Sequence, residues 1–160
     1  MRRFLILLAG CLALCALTAP ALASVYRSDY GYTIEIPDGW TVMTREYTSG
    51  ALEDLPDALG LDMFVSRDRA GTLSVLIYPS SGASTEELAE LVGRVEGASD
   101  YEVYGVRDVG GRSWYCLSCT WSGEKAYQAF CADGSELYAF TFSGIADSGL
   151  IRSVLSSFRK

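Results

Sequence analysis

Apolar and polar residues alternate along much of the chain, which is the pattern of half-buried β-strands. In residues 30–36, YGYTIEI, every second residue is a tyrosine or an isoleucine, so a strand is predicted. The turn sequence PDGW follows, and residues 40–47 resume an extended pattern, which predicts an opening hairpin. Residues 48–60 are predicted to form a loop with at most one short helical turn. A second hairpin is predicted from residues 61–68 and 72–80, because apolar-rich runs flank the turn sequence RAG.

Two stretches change to the helical period. The first begins with Ser84 and Glu87, which have the spacing of a capping box. It ends near Gly97, and its apolar stripe comprises Leu88, Leu91, Val92 and Val95. The second helix is predicted to start at Asp147 as its N-cap, and its stripe comprises Leu150, Ile151, Val154, Leu155 and Phe158. Both are expected to be amphipathic helices that lie on a sheet.

Four further strands are predicted between the two helices, at residues 101–109, 113–122, 125–133 and 137–144. The turns that join them are too short for anything but antiparallel neighbours. Helices set apart from an antiparallel sheet are typical of the α+β class, with the sheet flanked by helices. The chain has no G-x-G-x-x-G after a strand and no alternation of strands and helices, which excludes a dinucleotide-binding Rossmann unit.

The first 23 residues have the layout of a secretory signal peptide. Two arginines precede a long apolar run, and an A-x-A site ends at Ala23. Cleavage there makes Ser24 the first residue of the mature protein and leaves residues 24–160 as a single domain of 137 residues. We therefore expect a secreted or extracytoplasmic protein.

Two alternatives to cleavage remain open. The apolar run from residue 4 to residue 23 is about long enough to span a bilayer as an uncleaved anchor, although Thr18 and Pro20 interrupt its end. Residues 8–11 resemble a lipobox with Cys11 as the acylated residue, but apolar sequence follows where a polar tether is usual.

The charge balance limits the partners. The chain carries 13 basic and 20 acidic residues, and loss of Arg2 and Arg3 with the signal peptide leaves a net charge of −9. Such a surface repels phosphate backbones, so no nucleic-acid partner is expected. It also disfavours adhesion to anionic lipid, so no membrane association is expected once the signal peptide is removed. We expect a monomer whose partner is an unknown protein or cell-envelope component.

Three cysteines, Cys116, Cys119 and Cys131, remain in the mature chain, and an exported compartment permits disulfides. If Ser122 pairs with Lys125 across a hairpin tip, Cys116 lies directly opposite Cys131. Directly opposed residues of an antiparallel pair lie about 4.5–5.5 Å apart, within the reach of a disulfide. We therefore predict a Cys116–Cys131 disulfide.

The same register turns Cys119 to the opposite face of the sheet, against Gln128, as a buried thiol. The spacing of Cys116 and Cys119 also matches a redox C-x-x-C, which leaves a thiol redox helper or other small enzyme as an alternative function. That chemistry needs a helix N-terminus, whereas both residues are predicted in a strand. A structural zinc site needs four Cys or His ligands, and the chain has no histidine.

The absence of histidine also removes Ser-His-Asp and Cys-His hydrolases. Ser122 and Lys125 match S-x-x-K, but the companion S-D-N and K-T-G segments are missing. An acidic group that lacks the order of a calcium loop is expected on the solvated surface; it comprises Glu53, Asp54, Asp57 and Asp62. We predict no catalytic residue, no metal site and no cofactor.

Three segments together resemble the PsbP-like superfamily. They are YGYTIEIPDGW at 30–40, GRSWYCLSCTWSGEKAYQAFCADGSELYAFTFSG at 111–144, and VLSSF at 154–158. The superfamily includes the photosystem II extrinsic protein, a Ran-binding nuclear import factor and exported bacterial proteins, among them DcrB-like ones. The resemblance implies an antiparallel sheet sandwiched between helices and a binding role without a fixed ligand. We therefore expect an exported, non-enzymatic binding domain.

Overall fold

The structure is a computed structural model that describes residues 24–53, 55, 57–80, 84–92 and 97–160. The predicted signal peptide, with its cleavage residue Ala23 and the alternative lipidation residue Cys11, lies outside these ranges. Ser24, the predicted first residue of the mature protein, is the first residue of the first strand.

Nine strands and three helices are described. The strands are β1 (Ser24–Arg27), β2 (Thr33–Ile36), β3 (Thr41–Val42), β4 (Gly60–Val65), β5 (Thr72–Pro79), β6 (Ser99–Val109), β7 (Arg112–Trp121), β8 (Glu124–Asp133) and β9 (Glu136–Ser143). The helices are α1 (Arg45–Glu53), α2 (Thr85–Val92) and α3 (Ser148–Ser157). Within the described ranges, no helix combines the length and hydrophobicity that a bilayer span requires.

The main sheet has seven antiparallel strands in the order β3-β4-β5-β9-β8-β7-β6. Side chains on one face, including Trp114 and Phe140, pack with α3 and with β2; we call this the α3 face. Side chains on the other face, including Tyr115 and Phe130, pack under α2; we call this the α2 face. The predicted α+β class, with an antiparallel sheet between helices, is therefore confirmed.

The predicted opening hairpin is wrong. β2 pairs with β1, which the sequence did not indicate, in a separate two-stranded sheet. β3 pairs instead with β4 at the edge of the main sheet. The reason is packing: Ile34 and Ile36 of β2 are buried on the α3 face of the main sheet, so β2 covers that sheet and does not extend it.

Helix α1 replaces the end of the predicted strand 40–47 and much of the predicted loop 48–60. Its sequence, REYTSGALE, contains Gly50 and buries only Thr48, so it carries no apolar stripe that sequence periodicity can detect. The predicted starts of the other helices are confirmed. The amide of Ser84 donates to the Glu87 carboxylate while the Glu87 amide donates to Ser84 Oγ, and the Asp147 carboxylate caps α3.

The late meander forms as predicted, but the register of its middle hairpin is shifted by two residues. Ser122 and Gly123 form the two-residue loop, with φ values of +52° and +81°, so Trp121 pairs with Glu124. Two consecutive positive φ values are the signature of a type I′ turn, whose twist matches the flanking strands. The predicted loop used Gly123 and Glu124, which moves every partner on β8 by two positions.

Candidate functional site

A groove runs across the α2 face of the main sheet beside α1, and we call it the sheet groove. Its volume is about 480 Å³. The floor is formed by strands β4, β5, β9, β8 and β7, while Ala51 of α1 and the following Leu55 form part of a wall. The apolar lining includes Leu61, Met63 and Leu76. The groove therefore adjoins the core cluster under α2, with which it shares Phe130 and Ala139.

A row of polar side chains crosses the otherwise apolar floor. Ser74 of β5 pairs with Thr141 of β9, and Thr141 pairs with Gln128 of β8, so the three residues stand side by side on adjacent strands. All three line the sheet groove. Because successive strand residues point to opposite faces of the sheet, the register places these three polar side chains on the α2 face, in the floor of the groove.

Gln128 is the most unusual member of this row. The residue is only 4% exposed, and no described residue donates a hydrogen bond to its side-chain oxygen, Oε1. A buried carbonyl oxygen without a donor costs about 1–3 kcal/mol, and such groups are rare in folded proteins. Gln128 lines the sheet groove, but its Oε1 is closed to solvent and is therefore not an acceptor that the groove presents.

The charge of the described lining differs from that of the chain. None of the described residues that line it carries a charge, although the chain as a whole has a net charge of −7. At its outer end Trp121 is 46% exposed, whereas Cys119 beside it is only 2% exposed. The site can therefore hold an apolar body beside the polar side chains of Ser74, Gln128 and Thr141, but its described lining provides no charged group.

The predicted Cys116–Cys131 disulfide is not formed; both residues are free buried thiols. The shifted register places Cys116 opposite Ala129, so Cys131 is its diagonal neighbour on the next strand. Diagonal neighbours lie about 7–8 Å apart, beyond the usual Cα separation of about 4.4–6.8 Å in a disulfide. Cys131 instead lies opposite Tyr138 of β9.

Cys119 faces away from the other two thiols. It lines the sheet groove on the α2 face, opposite Ala126 and not opposite Gln128 as predicted, whereas Cys116 and Cys131 belong to the core of the α3 face. Burial raises the pKa of all three thiols. Neutral thiols are poor nucleophiles, so these cysteines lack the thiolate character of a redox centre.

Asp62, which was predicted on the solvated surface, is buried at 6% exposure. Its carboxylate accepts hydrogen bonds from the hydroxyls of Tyr26 at 2.9 Å, Ser28 at 2.5 Å and Tyr32 at 2.7 Å. Burial raises the pKa of Tyr32, and the Asp62 charge raises it further, so that hydroxyl stays a donor. The three hydrogen bonds to Asp62 therefore connect the β1-β2 sheet to β4.

A second groove, of about 730 Å³, lies on the α3 face near the start of α3. Its lining includes Tyr104 and Tyr127, whose rings stack at 5.9 Å between centroids, and the exposed Ala146. Charged Glu124 and Lys125 also line it. No group of three or more metal-ligating side chains occurs in the part of the chain that is described.

One sequence signal could have located the sheet groove. In the strand sequence KAYQAFCAD, alternation puts Gln128 on the same face as Ala126 and Phe130. A lone carboxamide among apolar residues on a buried face is uncommon and invites a functional explanation. The contribution of α1 could not be anticipated, because the helix itself was not predicted.

Comparisons with known proteins show the fold. No protein-family model matches the chain, and no curated protein matches it. The solution structure of cyanobacterial PsbP (CyanoP) from Synechocystis sp. PCC 6803 is similar with a TM-score of 0.56 and 18% identity, covering 89% of this chain and 95% of that one. A crystal structure from Bacteroides thetaiotaomicron VPI-5482 is similar with a TM-score of 0.56 and 13% identity, covering 86% of this chain and 48% of that one.

At these identities the likeness concerns the fold alone, and DcrB-like membership stays a prediction. The similar regions cover nearly all of this chain, and they contain the same antiparallel sheet between helical layers that the sequence resemblance implied. This chain therefore has the PsbP-like fold.

Proposed function

We propose that this chain is an extracytoplasmic, non-enzymatic binding domain that recognises a component of the cell envelope through the sheet groove. The observation that carries the proposal is the groove itself, a concave apolar surface of about 480 Å³ with the polar side chains of Ser74, Gln128 and Thr141 in its floor. Small-molecule sites in proteins are mostly concave and apolar, with a few placed polar groups that fix orientation.

The extracytoplasmic location rests on the sequence of residues 1–23, whose layout is that of a cleaved signal peptide. The uncleaved anchor and the lipoprotein at Cys11 are the competing forms. Expression of the full chain in a bacterial host, followed by fractionation and N-terminal sequencing, separates the three. The proposal expects a released product that begins at Ser24; a cytoplasmic, unprocessed product contradicts it.

A binding role agrees with the chemistry of the described residues better than the thiol alternative does. Cys116 and Cys119 lie on opposite faces of the sheet, and burial raises the pKa of both thiols. The S-x-x-K match falls in the β7-β8 turn, where Ser122 has a φ of +52° and stands at no helix start. Neither motif is therefore favoured as a reaction centre.

The binding proposal is tested with purified protein comprising residues 24–160. The protein is incubated with extracted envelope lipids and, separately, with soluble envelope proteins, and its complexes are measured by native mass spectrometry. A stoichiometric complex with an envelope component is expected, together with a monomeric mass for the free protein. Reproducible turnover of ester, peptide, glycoside or disulfide substrates, or no complex with any envelope fraction, contradicts the proposal.

A further inference from the structure

We propose that a third groove, separate from the two already described, binds a small aromatic carboxylate, that is, a flat apolar body that carries one carboxylate group. This groove lies between the turn that joins β2 to β3 and the turn that joins β4 to β5, and we call it the turn groove. Its volume is about 670 Å³, and it shares no described lining residue with the sheet groove. Trp40, Met43 and Val65 provide its apolar walls.

Two arginines, Arg67 and Arg69, also line the turn groove. Both are exposed, and neither guanidinium is hydrogen-bonded or ion-paired to a described residue. No residue of the described lining is acidic, although Asp68 lies between the two arginines in sequence. The Asp68 carboxylate accepts hydrogen bonds from Ser66 Oγ at 2.5 Å and from the amide of Ala70 at 3.1 Å. The groove therefore carries two positive charges in a chain whose net charge is −7.

The turn before β3 supports Arg67. Gly39 has a φ of +79°, and the amide of Trp40 closes the turn by donating to the carbonyl of Pro37. A Cβ on Gly39 would lie 3.4 Å from Nε of Arg67, so the guanidinium packs against the glycine backbone. A guanidinium that is already positioned loses less conformational entropy when it binds an anion. Arg67 is therefore placed at the groove before a ligand arrives.

The backbone of Arg69 is unfavourable for an arginine. Its φ is +61°, in the left-handed region that favours glycine, and its amide closes a turn by donating to the carbonyl of Ser66 at 2.9 Å. Residues in such conformations are concentrated at functional sites, where a side chain is kept at a cost in stability. The conformation of Arg69 therefore indicates a role for its side chain at the groove.

The lining specifies both parts of the ligand. A guanidinium pairs with a carboxylate through parallel N–H···O hydrogen bonds, and the net charge of the chain repels a phosphate dianion more strongly than a carboxylate. Trp40, which packs against the core of the α3 face, and the unbranched Met43 suit a flat ring body. The volume lies within the range of about 300–1,000 Å³ found for small-molecule pockets.

Three matched probes test the proposal on the mature chain of residues 24–160. 2-Naphthoate has the rings and the carboxylate, 2-naphthamide replaces the carboxylate with a neutral amide, and acetate has the carboxylate without the rings. Each probe is titrated into ¹⁵N-labelled protein, and the backbone amide and arginine Nε–H signals are followed by NMR. The amide of Gly39 and the Nε–H of Arg67 report on the turn groove.

We expect saturable 1:1 binding of 2-naphthoate, with the largest shifts at residues of the turn groove. 2-Naphthamide and acetate should each bind at least about 5-fold more weakly. At an ionic strength of about 1 M, where charges are screened beyond about 3 Å, the preference for 2-naphthoate over 2-naphthamide should shrink. Equal affinity for the acid and the amide, no saturable binding of 2-naphthoate, or largest shifts outside the turn groove overturns the proposal.

Arg69→Gly separates ligand binding from folding, because it removes the guanidinium and relieves the unfavourable backbone conformation. The affinity for 2-naphthoate should fall about 5-fold to 10-fold, while the thermal midpoint stays the same or rises. The matched control is Ser122→Gly, which makes the same backbone change at a φ of +52° in the β7-β8 turn and should leave the affinity within about 2-fold. Wild-type affinity in Arg69→Gly, or an equal loss in Ser122→Gly, overturns the proposal.

Arg67→Gln removes the other guanidinium and should also lower the affinity for 2-naphthoate about 5-fold to 10-fold. The control for charge is Arg152→Gln, which removes one exposed positive charge from α3 and should leave the affinity within about 2-fold. Weaker binding in Arg152→Gln but not in Arg67→Gln moves the site to α3 and overturns the proposal. None of these measurements involves the sheet groove, so their failure leaves the proposed function unchanged.

Discussion

Asp62 is the residue whose replacement most clearly tests how the β1-β2 sheet is attached to the main sheet. The carboxylate lies on β4 and is the shared acceptor for Tyr26, Ser28 and Tyr32, at 2.5–2.9 Å. These donors come from β1, from the loop that follows it, and from the residue before β2. Asp62→Ala removes all three hydrogen bonds at once and leaves the apolar contacts of the layer in place.

The cost can be worked from the burial of each donor. Tyr32 is 1% exposed, so its hydroxyl loses its acceptor in the protein interior, at about 1–3 kcal/mol. Tyr26 and Ser28 are partly exposed and can turn to water, so each contributes about 1 kcal/mol. Asp62→Ala also removes the free-energy cost of burying a carboxylate in the folded state, which offsets part of this total. We therefore expect Asp62→Ala to lower the free energy of unfolding by about 2–4 kcal/mol.

Urea unfolding of residues 24–160, followed by circular dichroism, measures this change. The matched control is Asp29→Ala, which removes a carboxylate that is 82% exposed and pairs with Arg45 at the surface. An exposed ion pair contributes about 0–1 kcal/mol, so the control should remain close to the wild type. Equal midpoints for the two alanine variants would refute the assignment of Asp62 as the fastening residue.

A double-mutant cycle with Tyr32→Phe isolates the most buried hydrogen bond. Tyr32→Phe alone should destabilise the protein, because the Asp62 carboxylate loses one of its three donors. In the Asp62→Ala background the same change should be neutral or stabilising, because it removes a buried hydroxyl that already lacks a partner. Additive effects of the two substitutions would contradict a direct bond between them.

Three further predictions concern other parts of the molecule. Gly110 has a φ of +63°, and a Cβ there would lie 2.5 Å from Cα of Ser156 in α3, so Gly110→Ala should lower the free energy of unfolding by about 1–3 kcal/mol more than Gly111→Ala, which shares the positive φ but has open space. Equal losses in urea unfolding would argue against close packing of the β6-β7 turn on α3. The contact with Lys160 lowers the pKa of Glu136, so the stabilisation it provides is present above the unfolded pKa of about 4.3 and is lost as the pH falls through the lower folded value. Glu136→Gln should therefore lower the free energy of unfolding by up to about 1 kcal/mol at pH 7 and reduce its dependence on pH between about pH 5 and pH 3. If thermal melts show that the variant loses as much stability as the wild type between about pH 5 and pH 3, this ion pair is not the cause. The three cysteines of the mature chain should resist iodoacetamide in the native state and take up three labels after unfolding without reductant, since all are free and buried; a mass about 2 Da lower and a single label would instead indicate a disulfide.

Local turn and cap chemistry made the late half of the chain predictable. The β6-β9 meander follows from turns that are too short for any other connection, and the starts of α2 and α3 follow from Ser84 and Asp147, whose side chains accept the predicted amide hydrogen bonds. These features depend on neighbours in sequence, so one chain is enough to identify them.

The register of the middle hairpin depended on a small difference between two turns. Gly123-Glu124 satisfies the residue preference of a type II′ turn, whereas Ser122-Gly123 forms the type I′ turn that is observed. A shift of one residue in the loop changes the sum of partner numbers by two, and this alone separates Cys116 from Cys131. The turn, and not the choice of strands, therefore keeps the two cysteines of the predicted disulfide from lying opposite each other.

Long-range features were not available from the sequence. α1 has no apolar stripe that sequence periodicity can detect. β1 pairs with β2, and β2 packs on the α3 face of the main sheet, which is a contact between elements far apart in the chain. The burial of Asp62 and the sheet groove both require contacts between elements far apart in the chain. Gln128 was visible in the sequence as a polar residue on an apolar face, but its missing partner was not.

A crystal structure of residues 24–160 with N-phenyl-1-naphthylamine bound tests whether the sheet groove is the binding site. We predict the rings of the probe in the sheet groove, between α1 and Trp121. A probe seated against Tyr104 and Tyr127 on the α3 face would contradict the assignment.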